Sequence, residues 1–201
     1  MQFGPKLSTE DLGNSKVINL LFKPAGLVMS SRLRHRLLDP VKTLNGAGLK
    51  SGQTVLEVGC GTGFFTIPAA RLIGEQGKLL AMDVMTSYLD LVSEKVRAAK
   101  LTNVRILKKN ALETGLEAES IDTVLLFGVI PYPSLPLKRL LPEMHRVLKP
   151  DGHMAVWLFP IPGWVPKSIA RSGLFTFIGK RNGVYNYERC HQNSPKCSDN
   201  F

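Results

Sequence analysis

From Thr54 onward, short apolar runs alternate with stretches in which apolar residues recur every three or four positions. The first kind fits strands buried on both faces, and the second fits helices packed against them. The runs predict strands at Thr54–Val58, Lys78–Asp83, Val104–Leu107, Thr123–Phe127 and His153–Phe159. Between them the spacing predicts helices over Gly63–Ile73, after a cap at Thr86 or Ser87, and over Leu137–Leu148. The second shows Leu89, Val92, Val96 and Ala99 on one face. Lys149-Pro150-Asp151-Gly152 supplies a helix stop and a turn.

Both ends depart from this alternation. Residues 17–49 read as helical, with Leu33, Leu37, Leu38, Val41 and Leu44 at near-helical spacing. Asp39-Pro40 interrupts them as an N-cap and first-turn proline that restart a helix. At the other end Phe175, Phe177, Val184, Tyr185 and Tyr187 favour strand around Asn182-Gly183, a strong type I′ hairpin signal. Two antiparallel strands follow, Leu174–Lys180 and Val184–Cys190. The expected fold is α/β and Rossmann-like: a seven-stranded, mostly parallel sheet with helices on both faces and a terminal antiparallel hairpin. Residues 1–50 form a helical N-terminal cap and residues 51–201 the main domain.

Composition changes this picture little, and charge somewhat more. The 201 residues suit one domain with a sizeable core. No apolar run approaches the roughly 18 residues of a membrane span, and the first residues lack a secretory pattern, so the expected location is cytoplasmic. The formal charge of +10 sits at the ends. Residues 1–50 hold eight Lys and Arg against three acids, and residues 160–201 hold six against two. Residues 51–159 hold twelve against eleven. Basic flanks suit an anionic membrane touched peripherally and, less well, a nucleic acid; a plain solvated surface accounts for them equally. "SRLRHR" at 31–36 concentrates part of this charge. Cys60, Cys190 and Cys197 form no disulfide framework, and Cys190-His191 with Cys197 lacks the remaining ligands of a metal site, so no metal is expected.

The chemistry lies in "VLEVGCGTGFFT", Val55–Thr66. A strand runs into Gly59, Gly61 and Gly63, then into a helical pattern. A dinucleotide site wants G-x-G-x-x-G, whose third glycine permits close packing near a pyrophosphate. That third place is Phe64, which points to a ligand without a diphosphate.

These residues resemble the class I S-adenosylmethionine-dependent methyltransferases over about residues 50–160. "VLEVGCGTG" is similar to the family's first motif. Asp83 in "LLAMDVM" stands where the family places an acid on the ribose hydroxyls, with Val84 and Met85 beside the adenine. "NALE" at 110–113 is similar to the segment that reads the adenine edge, although Asn110 replaces a frequent Asp. "EMHRVLKPDGHMAVW" at 143–157 resembles the helix, turn and strand that follow. The resemblance implies S-adenosylmethionine as cofactor, held by Glu57, Gly59, Gly61, Gly63, Asp83, Val84, Met85, Asn110, Ala111 and Phe127.

After the fourth strand, "FGVIPYP" lacks the polar residue and paired prolines of exocyclic-amine methyltransferases. With "EMHRVLKP" it looks like the C-methyltransferases of ubiquinone and menaquinone synthesis, which implies a small-molecule or lipid-like acceptor. An RNA methyltransferase and a non-catalytic cofactor-binding regulator are the alternatives. The sulfonium donor is already activated, so a base matters only if the acceptor must lose a proton. His35 and Tyr132 are weighed for that role, His145 and His153 read as structural, and no catalytic residue is assigned.

Overall fold

A computed structural model of the chain describes residues 38–131, 135–158 and 163–190. His35, Tyr132, His191, Cys197 and the 31–36 basic cluster lie outside them, as does most of the expected N-terminal cap. The described elements are α1 (Pro40–Ala47), β1 (Thr54–Val58), α2 (Thr66–Ile73), β2 (Lys78–Asp83), α3 (Thr86–Ala98), β3 (Val104–Lys108) and β4 (Ile121–Phe127). They continue with α4 (Leu137–Val147), β5 (Leu148–Trp157), α5 (Trp164–Ala170), β6 (Phe175–Arg181) and β7 (Val184–Arg189).

The seven strands form one sheet in the order β3-β2-β1-β4-β5-β7-β6. Strands β1 to β5 are parallel, and β7 is antiparallel to both β5 and β6. The period-two alternation of the strands divides their apolar residues between two faces. Leu56, Leu80, Val124 and Val156 pack in one core with Leu140 and Met144 of α4 and Val165 and Ile169 of α5. Val55, Leu79, Leu125 and Ala155 pack in the other with Leu44 of α1 and Ala69 and Ile73 of α2. Ala81 meets Leu89 and Val92 of α3. Helices thus cover both faces.

Local signals account for most boundaries. Asp39 caps α1 by accepting from the Val41 and Lys42 N–H groups, with Pro40 in the first turn. Helix α2 starts at Thr66, not Gly63, because Gly61 and Gly63 hold positive φ and keep the loop out of helical geometry. Strand β5 starts at Leu148, earlier than expected. Leu148 pairs with Ile121 and His153 with Thr123, so the anticipated 149–152 turn is a bulge facing Asp122, whose carboxylate takes Lys149 Nζ at 2.7 Å. Helix α5 was not legible, because Pro160, Pro162 and Pro166 crowd its start. A proline in the first turn needs no N–H there, so Pro166 is tolerated. Cys190 is disulfide-bonded, which corrects the expectation that the three cysteines form no disulfide framework.

Tertiary contacts seat α1 across the terminal hairpin. Asn182 and Asn186 donate to the Lys42 and Gly46 carbonyls at 2.9 and 3.0 Å. A Cβ on Gly46 would fall 2.4 Å from the Arg181 carbonyl oxygen, so only glycine permits this approach. His153 Nε2 meets the Ala47 carbonyl at 2.7 Å and Nδ1 meets Thr123 Oγ1 at 3.2 Å. Burial holds the ring below its ordinary pKa, so it sits there neutral, as a structural strut.

In the hairpin, Asn182 and Gly183 both take positive φ, 48° and 81°, as a type I′ turn requires. A Cβ at Gly183 would meet nothing nearer than 3.7 Å, so substitution there carries a backbone cost alone. Gly183→Val should destabilise the domain by about 1 kcal/mol or more, read from denaturant midpoints at constant slope. A midpoint equal to wild type would show that the turn tolerates a branched residue and exclude this geometry.

Candidate active site

The loop after β1 is shaped by three left-handed glycines, with φ of 66°, 52° and 80° at Gly59, Gly61 and Gly63. Gly59 is the most constrained, because a Cβ there would lie 2.3 Å from Val129 Cγ1. Val129 follows β4, so the close approach brings the glycine loop against the segment after that strand. The Cys60 N–H donates to the Met82 carbonyl and the Gly63 N–H to the Cys60 carbonyl, both at 2.9 Å, which fixes the loop to the end of β2. The Cys60 side chain is buried and its thiol is pushed well up, first by desolvation and then by Glu57 and Asp83. It is therefore no nucleophile at neutral pH.

Asp83 closes the loop. The Gly61 N–H donates to Asp83 Oδ2 and the Met85 N–H to Oδ1, each at 2.9 Å. Burial raises its pKa, and the backbone N–H groups of Met85, Gly61 and Val84 offset part of that rise. The resemblance implies a ribose ligand at this acid; what the structure shows there is a clasp between two loops.

Glu57 lies beneath, 3% exposed. Thr66 Oγ1 donates to its Oε2 at 2.7 Å. Burial pushes the carboxyl up to about 8, with Asp83 adding to the rise and Thr66 opposing it. Burial thus favours the protonated form of Glu57 in the free protein.

The remaining predicted residues are placed unevenly. Val84 and Met85 continue from Asp83 around the β2 end, and Met85 is buried. Asn110 Oδ1 accepts from the Leu112 N–H at 3.0 Å, so part of its acceptor capacity goes to its own turn. Ala111 is buried beside it. The Phe127 ring packs edge-on against Phe65 at 5.0 Å, within the core. Phe64 likewise turns inward, 4.9 Å from Phe65. The third-glycine position of a dinucleotide loop is therefore filled by core.

Several residues that the pattern did not single out complete the arrangement. Thr62 Oγ1 is buried without a hydrogen-bond partner, an unusual state for a hydroxyl inside a tight loop. Lys95 of α3 donates from Nζ to the Thr62 carbonyl at 2.6 Å and is held below its ordinary pKa by burial. Thr114 donates through both N–H and Oγ1 to Glu143, which Arg146 also grips through two nitrogens. Burial alone would raise Glu143, but these bonds hold its carboxyl at about 2. That cluster anchors the segment after β3 to α4. Long-range partners of this kind leave no periodic trace in a sequence. Among the described residues no group of His, Cys, Asp and Glu gathers as a metal site.

The topology narrows the class further. A dinucleotide sheet runs 3-2-1-4-5-6, whereas here an antiparallel β7 is inserted between β5 and β6. Residues 55–152 match a methyltransferase domain family. That stretch is a class I S-adenosylmethionine-dependent methyltransferase domain. The chain is similar to a demethylmenaquinone methyltransferase of Bacillus cereus, 37% identical over 112 residues. That match covers 55% of this chain and 46% of the relative, so the chain spans less than half the length of the curated relatives it matches. Among solved structures it resembles a SAM-dependent methyltransferase from Aquifex aeolicus, at 26% identity and a TM-score of 0.67, covering 83% of this chain and 96% of that one. A geranyl diphosphate C-methyltransferase from Streptomyces coelicolor, at 13% identity and a TM-score of 0.64 over 81% of this chain and 82% of that one, shares the fold alone.

Within this domain, the glycine loop, Asp83 and the β3–β4 turn meet at the carboxyl ends of the parallel strands, the crevice where open α/β sheets bind ligands.

Proposed function

We propose that the chain binds S-adenosylmethionine in this crevice and transfers its methyl group to a small, apolar, quinone-like acceptor. One observation carries the cofactor assignment: a carboxylate at the end of β2 is clasped to a glycine loop that keeps a buried hydroxyl, Thr62 Oγ1, without a partner. That set of donors and acceptors suits an adenosine carrying an amino acid. The loop's positive-φ glycines allow the methionine part to lie against backbone, and Asp83 retains lone pairs for ribose hydroxyls. Met85 and Ala111 offer apolar surface to an adenine, with Val84 and Asn110 at its edge.

The cofactor, when bound, supplies a methyl group already activated by its sulfonium charge. The protein's work is alignment and exclusion of water, which can contribute several kcal/mol to the rate. Val129 packs on Gly59, and Ile130 is buried beside it, so the described residues directly after β4, Gly128 to Pro131, bring no charged group to the loop. An apolar acceptor fits that lining, and the named activity of the Bacillus relative supports the same class.

Calorimetry should show S-adenosylhomocysteine binding with micromolar affinity and no heat from NADH. Tight NADH binding without a response to S-adenosylhomocysteine would overturn the cofactor assignment. The acceptor is tested by comparing metabolites of cells with and without the gene, seeking a pair of apolar compounds separated by one methylene. A hydrophilic or macromolecular substrate in that comparison would refute the acceptor reading.

A further inference from the structure

Five large apolar side chains are exposed among the described residues, and three of them fall between positions 164 and 178. Trp164 is 54% exposed, Phe177 44% and Ile178 50%. Phe177 and Ile178 are neighbours on β6, and a chain of contacts runs from Phe177 toward α5. The Phe177 ring lies 5.5 Å from Tyr187, whose hydroxyl reaches the Pro166 carbonyl two residues beyond Trp164. Helix α5 itself packs against β6.

Charge frames this apolar surface. Residues 163–190 contain five Lys and Arg and a single acid, Glu188. Lys167 of α5 and Arg171 at its C-cap are exposed and follow Trp164 by three and seven positions, which sets all three on one helical stripe. On β6, Lys180 and Arg181 are exposed, and Lys180 Nζ sits 4.5 Å over the Tyr185 ring. An indole on a helical stripe with ammonium and guanidinium groups, and an aliphatic and a phenyl side chain exposed on the strand that the helix packs against, is the composition of a bilayer interface.

We propose that the α5–β6 face docks on an anionic lipid bilayer. The competing occupant of a sheet edge is an added strand from another protein. The register slips between Phe177 and Gly179, and Lys180 and Arg181 follow, which are devices that block edge pairing. A nucleic acid would use the cations and stack on the rings, but it offers nothing to Ile178. The face also has a direction. Arg181 pairs with Val184, Val184 with Trp157, and the Trp157 carbonyl accepts from Gly128, so the hairpin turn lies at the end of the sheet that carries the glycine loop. Docking through this edge brings the mouth of the crevice toward the lipid surface. The claim stands on the surface alone and does not depend on the methyl-transfer reading.

The test is sedimentation of the full chain with vesicles of phosphatidylcholine, with and without phosphatidylserine. Binding should require phosphatidylserine and weaken as salt rises. Lys167→Glu and Lys180→Glu should each lower the partition coefficient by about fivefold or more. Trp164→Ser and Ile178→Ser, at exposed positions, should lower it about tenfold while melting and S-adenosylhomocysteine binding stay at wild-type values. Absence of vesicle binding would overturn the proposal. So would binding that survives all four substitutions, which would place it elsewhere on the chain. RNA binding lost on the same substitutions, without vesicle binding, would assign the face to nucleic acid instead.

Discussion

Replacing Asp83 with alanine should weaken S-adenosylhomocysteine binding by about ten- to a hundredfold, which is roughly 1.4–2.8 kcal/mol. Each hydrogen bond from a ribose hydroxyl to a carboxylate contributes about 1.5–3 kcal/mol, and water replaces part of it in the variant. A strand-end alanine opens no core cavity, which by itself would leave the fold intact. The structure adds a second cost. The Gly61 and Met85 N–H groups both lose their acceptor, so the free variant should also melt earlier than wild type. Asp83→Asn separates the two effects, because its carbonyl oxygen can keep one backbone bond while the charge is gone. Both variants should lose affinity, and the asparagine variant should recover part of the melting temperature. If alanine melts early but binds S-adenosylhomocysteine as wild type does, Asp83 is a clasp and no ribose ligand.

Glu57→Gln should stabilise the free protein at alkaline pH by an amount on the order of a few kcal/mol. The sign follows from linkage. Burial raises the folded-state pKa to about 8 from an ordinary 4.5, so between those values the folded protein holds a proton that the unfolded chain has released. Stability therefore falls as pH rises through this window and levels off above it. Glutamine keeps an oxygen for the Thr66 hydroxyl and cannot ionise, so the variant should lose the slope. His153 acts in the opposite direction. Its lowered pKa removes stability as pH falls below about 6.5, and that contribution remains in both proteins. Unfolding in urea from pH 5 to 9 measures the difference. Equal slopes for wild type and Glu57→Gln would show that Glu57 is ionised and paired in the folded state. A stabilised variant that also binds the cofactor more weakly would mean that the buried acid is retained for the ligand at a cost to the fold.

Strand and helix periodicity in residues 54–157 carried the sheet and its parallel strands, since burial on both faces demands unbroken apolar runs. Asp39-Pro40 and Asn182-Gly183 specified a helix start and a turn through their own backbone preferences. The glycine loop and the acid of β2 were legible for the same reason: each is a local requirement for positive φ or a charge at a strand end. What a sequence does not display is which distant groups meet. The insertion of β7 between β5 and β6, the seating of α1 on the hairpin through Gly46, and the approach of Val129 to Gly59 all join positions far apart in the chain. The clasp at Asp83, the raised pKa of Glu57 and the Thr114–Glu143–Arg146 cluster depend on burial and on such partners. Local propensity wrote the elements and the loop, and desolvation with long-range hydrogen bonding, which exist only once the chain has folded, decided what those residues do.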